Sequence, residues 1–390
     1  MSKKILINGI TLDGIGLNHS NLIPLLHKIK VWQSLGCHIS IFSNSPLKKK
    51  IDSYGIINSY EFIELKYSEL VDNRISFVLE SLKRNLIAFA CVGKLKNKYD
   101  VVYSISSVLD LVLFPWFLKL IDKRICLITV FDNKVNWRGS GSLLIRLLNW
   151  VFFHVSLFLI KKADKIFTVS YGLQAYLVAK GFEALKIGVT GNAVQSDLIH
   201  KAKKGNKYNF DAIFIGRIHP SKGIYDALAV LSVVKKIYPN FQFAVMGRGD
   251  VNEERKFFNK IHELSLSRNV EILGYLEGLE KFNILKSSKC FLFLSESESF
   301  GQSLLEAVTC GLPAIAYDLK PYREIYRNDE VFFVKRNDIE AVTKKVLEIF
   351  REGKFENVAG KFLLEKFCWE KIAKQEFQAF SGVEQEINMP

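Results

Sequence analysis

A chain of 390 residues, 49% of them apolar and with a mean hydropathy of +0.11, is too long for one ordinary α/β unit and can bury two cores, each in a domain of roughly 180 residues. Its net charge of +14 is uneven: residues 1–195 hold 25 Lys and Arg against 13 Asp and Glu (+12), and residues 196–390 hold 29 against 27 (+2). The basic half suits an anionic membrane surface or a pyrophosphate-linked lipid, with a plain solvated surface as the alternative. Nucleic acid is disfavoured, because no nucleic-acid motif and no Arg-rich stripe with interleaved aromatics is present.

Short apolar runs alternate with helical stretches along the chain, the pattern of parallel sheets wrapped by helices. Met1-Ser2-Lys3-Lys4 leads straight into the first strand pattern, and the expectation is a cytoplasmic protein. The first half predicts strands near 5–8, 38–43, 62–65, 101–104, 127–131 and 165–169, with helices over 19–35 and 72–92. Leu143–Ile160 is almost wholly apolar, with Arg146, Asn149 and Ser156 on one narrow stripe. A membrane span needs about 20 apolar residues, and a central Arg would add about 2.5–3.5 kcal/mol to insertion. A transmembrane helix is therefore rejected. A buried core helix and a helix lying in a bilayer surface both stay open, and Trp116 and Trp150 fit either.

Residues 192–209 are polar and rich in Lys, Gly and Asn, and read as a linker. The second half then restarts with strands near 212–215, 241–246, 270–273, 291–294, 314–316 and 331–334. The six cysteines (Cys37, Cys91, Cys126, Cys290, Cys310 and Cys368) show no C-x-x-C pairing, which points to reduced thiols rather than disulfides or a zinc site. In open α/β sheets ligands bind beyond the carboxyl ends of strands, so every strand-end loop is a candidate site.

The most specific motif is Glu298-Ser299-Phe300-Gly301-Gln302-Ser303-Leu304-Leu305-Glu306-Ala307, followed by Cys310-Gly311-Leu312-Pro313. Gly301 has no side chain to block a ligand from the backbone N–H groups of the following helix, whose start carries about half a positive unit charge. Glu298 and Glu306 can each accept charge-assisted hydrogen bonds from sugar hydroxyls at different points of an extended ligand. A second motif, Phe214-Ile215-Gly216-Arg217-Ile218-His219-Pro220-Ser221-Lys222-Gly223, sets two cations at a strand-to-helix corner. Arg217 offers a planar fork and Lys222 a point charge, a pair suited to a diphosphate.

The first motif resembles the E-x-F-G-x-x-x-x-E-A-x-x-x-G-x-P signature of retaining glycosyltransferase family 4. The resemblance implies the α/β GT-B fold, two Rossmann-like doubly wound domains facing across a cleft with a C-terminal helix returning to the first. It implies that Glu298 contacts the donor sugar, that Glu306 holds the ribose hydroxyls, and that Phe300, Gly301, Gln302 and Ser303 belong to the donor site. Gly216 through Gly223 resembles the family's G-R-x-x-x-x-K-G loop, in which Arg217 and Lys222 would neutralise the diphosphate leaving group. Glu298, Arg217 and Lys222 are the expected catalytic residues and Glu306 the principal donor ligand.

Asn8 through His19 resembles the N-terminal G-G-x-G loop, which makes Gly14 and Gly16 donor-binding candidates and leaves Asp13 where the first Gly is usual. Residues 269–276 resemble the segment whose backbone meets the nucleobase, giving Tyr275 and Leu276. Val245-Met246-Gly247-Arg248-Gly249 resembles a second-domain G-x-G and adds Arg248. Many relatives carry a His at the end of a first-domain strand. Phe131 stands there, which leaves Asp132 as the polar group, with His19 as a further candidate.

The expected domains are 1–195 on the acceptor side, 196–368 for the nucleotide sugar, and 369–390 as a helix crossing back with a tail. The expected activity is retaining transfer of a sugar from a UDP- or GDP-linked donor to a glycan or lipid-linked hydroxyl, in assembly of surface polysaccharide, lipopolysaccharide or glycolipid. No cofactor and no metal are expected, since the two cations stand in for a divalent ion and no D-x-D cluster is present. The location expected is the cytoplasm, peripheral at the inner face of the plasma membrane. A nucleotide-sugar epimerase or hydrolase on the same fold is the alternative, and a non-catalytic partner in a glycan-assembly complex is the alternative of another class.

Overall fold

The computed structural model describes residues 2–10, 19–57, 59–67, 74–135, 143–205, 207–327, 330–352 and 359–381. The chain divides into two compact units, Met1–Gly191 with Trp369–Pro390 and Asn192–Cys368. The first holds β1 (Lys4–Asn8), β2 (His38–Ser43), β3 (Glu61–Glu64), β4 (Val101–Ser104), β5 (Cys126–Phe131), β6 (Lys165–Thr168) and β7 (Ile187–Val189). They form one parallel sheet in the order β3-β2-β1-β4-β5-β6-β7. The second holds β8 (Ala212–Ile215), β9 (Phe243–Met246), β10 (Val270–Gly274), β11 (Phe291–Phe293), β12 (Ala314–Tyr317) and β13 (Val331–Val334), ordered β10-β9-β8-β11-β12-β13 and again all parallel. The central strands are buried on both faces, which is why they read as near-continuous apolar runs. In each sheet the strand order reverses once, between β1 and β4 and between β8 and β11. Such reversals open the crevice where ligands bind in doubly wound sheets.

Residues 192–209 are not a linker. They open the second unit: the Val194 N–H donates to the Phe367 carbonyl at 3.1 Å, and Ser196–Lys201 is a short helix that buries Ile199. The chain leaves and rejoins the first unit near 191 and 368, and Val194 bridges Cys368 in parallel at that point. The described polar residues that suggest a linker lie mostly on the outer side, while four apolar ones, Ala193, Val194, Ile199 and Ala202, do the packing.

The last helix, Trp369–Ser381, packs on His19–Ser34 of the first unit. Apolar contact holds it there: Ala373 and Phe380 join Trp32 in the core, and the Trp32 ring meets Phe380 edge-on at 5.3 Å. Polar contact fixes the register. The Trp32 indole N–H donates to the Ala373 carbonyl at 2.9 Å, and Lys28 Nζ donates to Glu376 Oε1 at 2.6 Å. The Tyr103 hydroxyl, from β4, donates to Glu376 Oε2 at 2.9 Å, and burial followed by that carboxylate pushes the phenol well above its ordinary pKa.

Leu143–Ile160 forms the helix its sequence predicts, yet it is a core helix over only half its length. Phe153, Ser156, Leu157, Leu159 and Ile160 are buried against Leu109–Ile121, whereas Leu144, Leu148, Val151, Val155 and Phe158 line an exposed stripe, Phe158 at 69%. Arg146, Asn149 and Ser156 do not share an environment, since Asn149 is exposed and Ser156 is 2% exposed with its hydroxyl on the Ser107 carbonyl. No helix among the described residues is long and apolar enough to cross a membrane. The six cysteines are all free thiols.

Glu376 is wholly buried, so Glu376→Ala leaves the Lys28 ammonium without its partner, at a cost of about 3–5 kcal/mol. The unfolding midpoint of the first unit, read by calorimetry, is expected to fall in Glu376→Ala and much less in the Lys28→Met, Glu376→Leu double variant. An unshifted midpoint in Glu376→Ala would show that the pair does not hold the helix.

Candidate functional site

Four strand-end loops of the second unit are sewn together by main-chain contacts. The Gly216 N–H donates to the Met246 carbonyl at 3.1 Å, Gly247 to Gly274 at 2.7 Å, Ile218 to Arg248 at 3.0 Å and Glu296 to Ser221 at 3.0 Å. Two glycines make the approach possible. A Cβ at Gly247 would lie 1.8 Å from the Gly216 carbonyl oxygen, and one at Gly223, whose φ is +71°, would lie 1.9 Å from the Leu294 carbonyl oxygen. The loops after β8 and β11 therefore touch where the strand order reverses. His219 accepts from the Ser221 N–H at 3.2 Å and closes the turn before Lys222.

That contact brings the sequence-predicted charges together. Lys222 Nζ donates to Glu298 Oε1 at 2.5 Å, and Ser295 Oγ donates to the same oxygen at 2.9 Å. Both charged side chains are largely buried, at 22% and 16% exposure. Arg217 is exposed and has no hydrogen-bond or ion-pair partner among the described residues. Gly301, φ +89°, starts the helix Gln302–Thr309, and a Cβ there would sit 2.9 Å from the Tyr322 ring. On that helix Glu306 accepts from Lys281 Nζ at 2.7 Å, with exposures of 10% and 15%. The Cys310 thiol one turn on is pushed up to about 12 by burial and by Glu306, so it stays protonated and is no nucleophile at neutral pH.

Comparison with known proteins agrees with this geometry. Residues 195–362 match the family model described as glycosyl transferases group 1. That match takes in most of the second unit, Asn192–Cys368. The chain is 26% identical over 177 residues to a phosphatidyl-myo-inositol mannosyltransferase of Mycobacterium leprae, covering 44% of this chain and 46% of that protein. It is 22% identical over 280 residues to the UDP-Gal:alpha-D-GlcNAc-diphosphoundecaprenol alpha-1,3-galactosyltransferase of Escherichia coli, covering 68% and 70%. It spans 27% of the length of an uncharacterized glycosyltransferase of Methanocaldococcus jannaschii, and 46% of both the Mycobacterium leprae protein and a Staphylococcus aureus poly(ribitol-phosphate) alpha-N-acetylglucosaminyltransferase. Across 97% of this chain and 100% of the other, the fold superposes on Anabaena HepE in complex with UDP and glucose, with a TM-score of 0.73 at 15% identity. The fold class is therefore GT-B, two Rossmann-like α/β units.

Within the second unit the remaining candidates divide into backbone and side-chain contributors. The Phe300 ring is buried against Phe367 at 5.9 Å, so only its main chain is open to a ligand. Gln302 Nε2 donates to the Ala193 carbonyl at 2.8 Å and Ser303 Oγ to Ile215 at 3.2 Å, so both side chains brace the helix start. Tyr275 is exposed and bonded to Glu277, Leu276 is half-buried beside it, and the Arg248 guanidinium lies against Gly274 at the end of β10.

In the first unit Asp132 follows β5 and accepts from Ser106 Oγ at 3.2 Å. Phe131 turns the other way, wholly buried and stacked on Tyr176 at 6.0 Å, as strand alternation requires for adjacent residues. His19 opens its helix, and its side chain, with Gly14 and Gly16, lies outside the described residues.

Sequence reasoning missed Lys281, Ser295 and Tyr322. Burial, then the Glu298 carboxylate, pushes the Tyr322 phenol far above its ordinary pKa, and no periodicity links any of the three to the motif they serve.

Gly223→Ala forces a Cβ onto the Leu294 carbonyl in a left-handed conformation that itself costs about 1–2 kcal/mol. Gly278, φ +68° with nothing within 4 Å of its Cβ position, supplies the control. Thermal unfolding is expected to show a clear loss of second-unit stability in Gly223→Ala beyond that in Gly278→Ala. Equal losses would remove the main-chain contact from the account.

Proposed function

We propose that this chain transfers a sugar from a UDP- or GDP-linked donor to a hydroxyl of a glycan or lipid-linked acceptor, with retention at the anomeric carbon. The observation that carries this reading is the meeting of Lys222 with Glu298 at the β8–β11 reversal of a group 1 glycosyltransferase domain. The names of similar proteins support it: one is solved with UDP and glucose, and another is named for UDP-Gal and a diphosphoundecaprenol acceptor.

Departure of a nucleoside diphosphate builds negative charge on oxygen and positive charge on the sugar. Lys222 has three N–H donors and Glu298 engages one, so two are available to the diphosphate. Arg217, exposed at the same loop, supplies its planar fork, and the helix start after Gly301 adds its dipole. Fixed donors of this kind are worth about 3 kcal/mol each in lowered barrier. These cations carry the charge that a divalent ion would otherwise carry, and the reaction needs no cofactor. Glu298 accepts sugar hydroxyls, and Glu306 accepts the ribose hydroxyls of the nucleotide.

Steady-state assays against a panel of nucleotide sugars test the assignment. Glu306→Ala is expected to raise donor KM by about 10- to 100-fold, the worth of a hydrogen bond to a charged group. Glu298→Ala is expected to lower kcat by about 100-fold, and wild-type turnover is expected to persist in excess EDTA. Near-normal kcat/KM in both variants would sink the site, and turnover lost to EDTA and restored by Mg²⁺ would return the leaving-group charge to a metal.

The acceptor side is proposed to work against an anionic lipid surface at the cytoplasmic face. The first unit carries 27 Lys and Arg against 17 Asp and Glu. Helix Arg74–Ala90 exposes Leu79, Leu82 and Leu86 on one face, next to Lys83, and the exposed stripe of Leu143–Ile160 runs into Lys161 and Lys162. Leu109–Ile121 packs against both helices. Apolar side chains ringed by lysines match an interface where each cation near an anionic leaflet is worth about 1 kcal/mol. In sedimentation with phosphatidylserine-containing vesicles, binding is expected at low salt and should weaken as the Debye length falls from about 10 Å to about 3 Å. Binding is also expected to drop in Leu147→Asp combined with Phe158→Asp. Protein left in the supernatant at low salt would point to a soluble acceptor.

A further inference from the structure

Lys281 stands on the helix Gly278–Ser287, with no place in either sequence motif, and its ammonium sits 2.7 Å from Glu306 Oε1. Only 15% of the lysine side chain and 10% of the glutamate side chain are exposed. The lysine stem lies along its neighbour, with Nζ 4.7 Å from the centroid of the Phe282 ring, which fixes its direction. Glu306 Oε2 has no partner among the described residues. A free glutamate turns about three side-chain bonds, so one anchored oxygen largely determines where the second one faces.

A vicinal diol places demands on that orientation. Its two hydroxyls donate to the two oxygens of one carboxylate only when the carboxylate plane faces them, and such charge-assisted bonds are roughly twice as strong as neutral ones. Removing one of the two hydroxyls leaves a desolvated carboxylate oxygen unpaired, which is the strongest source of discrimination a polar site has. A carboxylate held in place discriminates; one that swings away to solvent does not.

We propose that Lys281 is a positioning residue that holds the Glu306 carboxylate square to the nucleotide's ribose, and so sets the preference for ribonucleotide over 2′-deoxyribonucleotide donors. This rests on the reading that Glu306 meets the ribose. Lys281 itself touches no reacting atom. Lysine rather than a neutral donor suits the position because it both offsets the desolvation of Glu306 and leaves Oε2 to the ligand.

The test is calorimetric titration of the full chain with UDP and 2′-deoxy-UDP, and with GDP and 2′-deoxy-GDP, alongside thermal unfolding. The wild type is expected to bind the ribonucleotide at least about tenfold more tightly, about 1.4 kcal/mol. Glu306→Gln is expected to lose most of that ratio. Lys281→Met is expected to lose it as well, with the ribonucleotide weakened and the deoxynucleotide little changed, while Lys281→Arg restores part of it. A full ribose preference in Lys281→Met overturns the proposal and leaves the Glu306 reading intact. Equal weakening of both nucleotides together with a lowered melting temperature, uncorrected in Lys281→Arg, also overturns it, since Lys281 would then be merely structural. No ribose preference in the wild type, or one unaffected in Glu306→Gln, removes the Glu306 reading and this proposal with it.

Discussion

Main chain pressed on main chain is the constraint from which the second unit's site follows. Gly223 lies against the Leu294 carbonyl and Gly247 against the Gly216 carbonyl, at separations no side chain could enter. Because these contacts involve backbone atoms on both sides, only glycine permits them, and no repacking of neighbours relieves a substitution. Lys222 precedes Gly223 by one residue and Glu298 follows Leu294 by four, so one contact sets the position of both. The cation and the carboxylate come from segments 76 residues apart, yet the distance between them is a local property of two touching loops.

The electrostatics follow from that rigidity. Each of the two carboxylates in the site already meets a lysine, Glu298 with Lys222 and Glu306 with Lys281. Neither acid sits in its half-dry pocket unpaired, which offsets much of the cost of burying it. Arg217 differs in kind: it is exposed and has no hydrogen-bond or ion-pair partner among the described residues.

The first unit uses the same sheet topology for other ends. Its buried polar cluster of Lys28, Tyr103 and Glu376 serves to seat the last helix, and just beyond β5 Asp132 is half-buried on Ser106. What the unit presents outward is apolar surface on two helices and an excess of lysine. The paired motif charges lie in the second unit and the two exposed apolar helix faces in the first.

The sequence by itself determined what depends on neighbours along the chain. Among the described residues, twelve of the thirteen strands are legible as apolar runs, and the missing one, Ile187–Val189, is three residues long with a glycine at its centre, too short to show a period. Motif spacing singled out Arg217, Lys222 and Glu298, which lie in the few residues between a strand and the helix that follows it, and Glu306, on the helix that the second of these loops opens. Tertiary structure decided the rest. Residues 192–209 pack as the opening of a unit because the chain returns beside them near 368, a fact no local composition carries. Half of Leu143–Ile160 is exposed because only one of its apolar faces meets Leu109–Ile121, and an all-round apolar helix does not reveal which face that is. Phe300, Gln302 and Ser303 belong to the motif, yet their side chains brace the fold. Lys281, 25 residues from Glu306, is drawn to it by an ion pair that forms only once the two helices have packed.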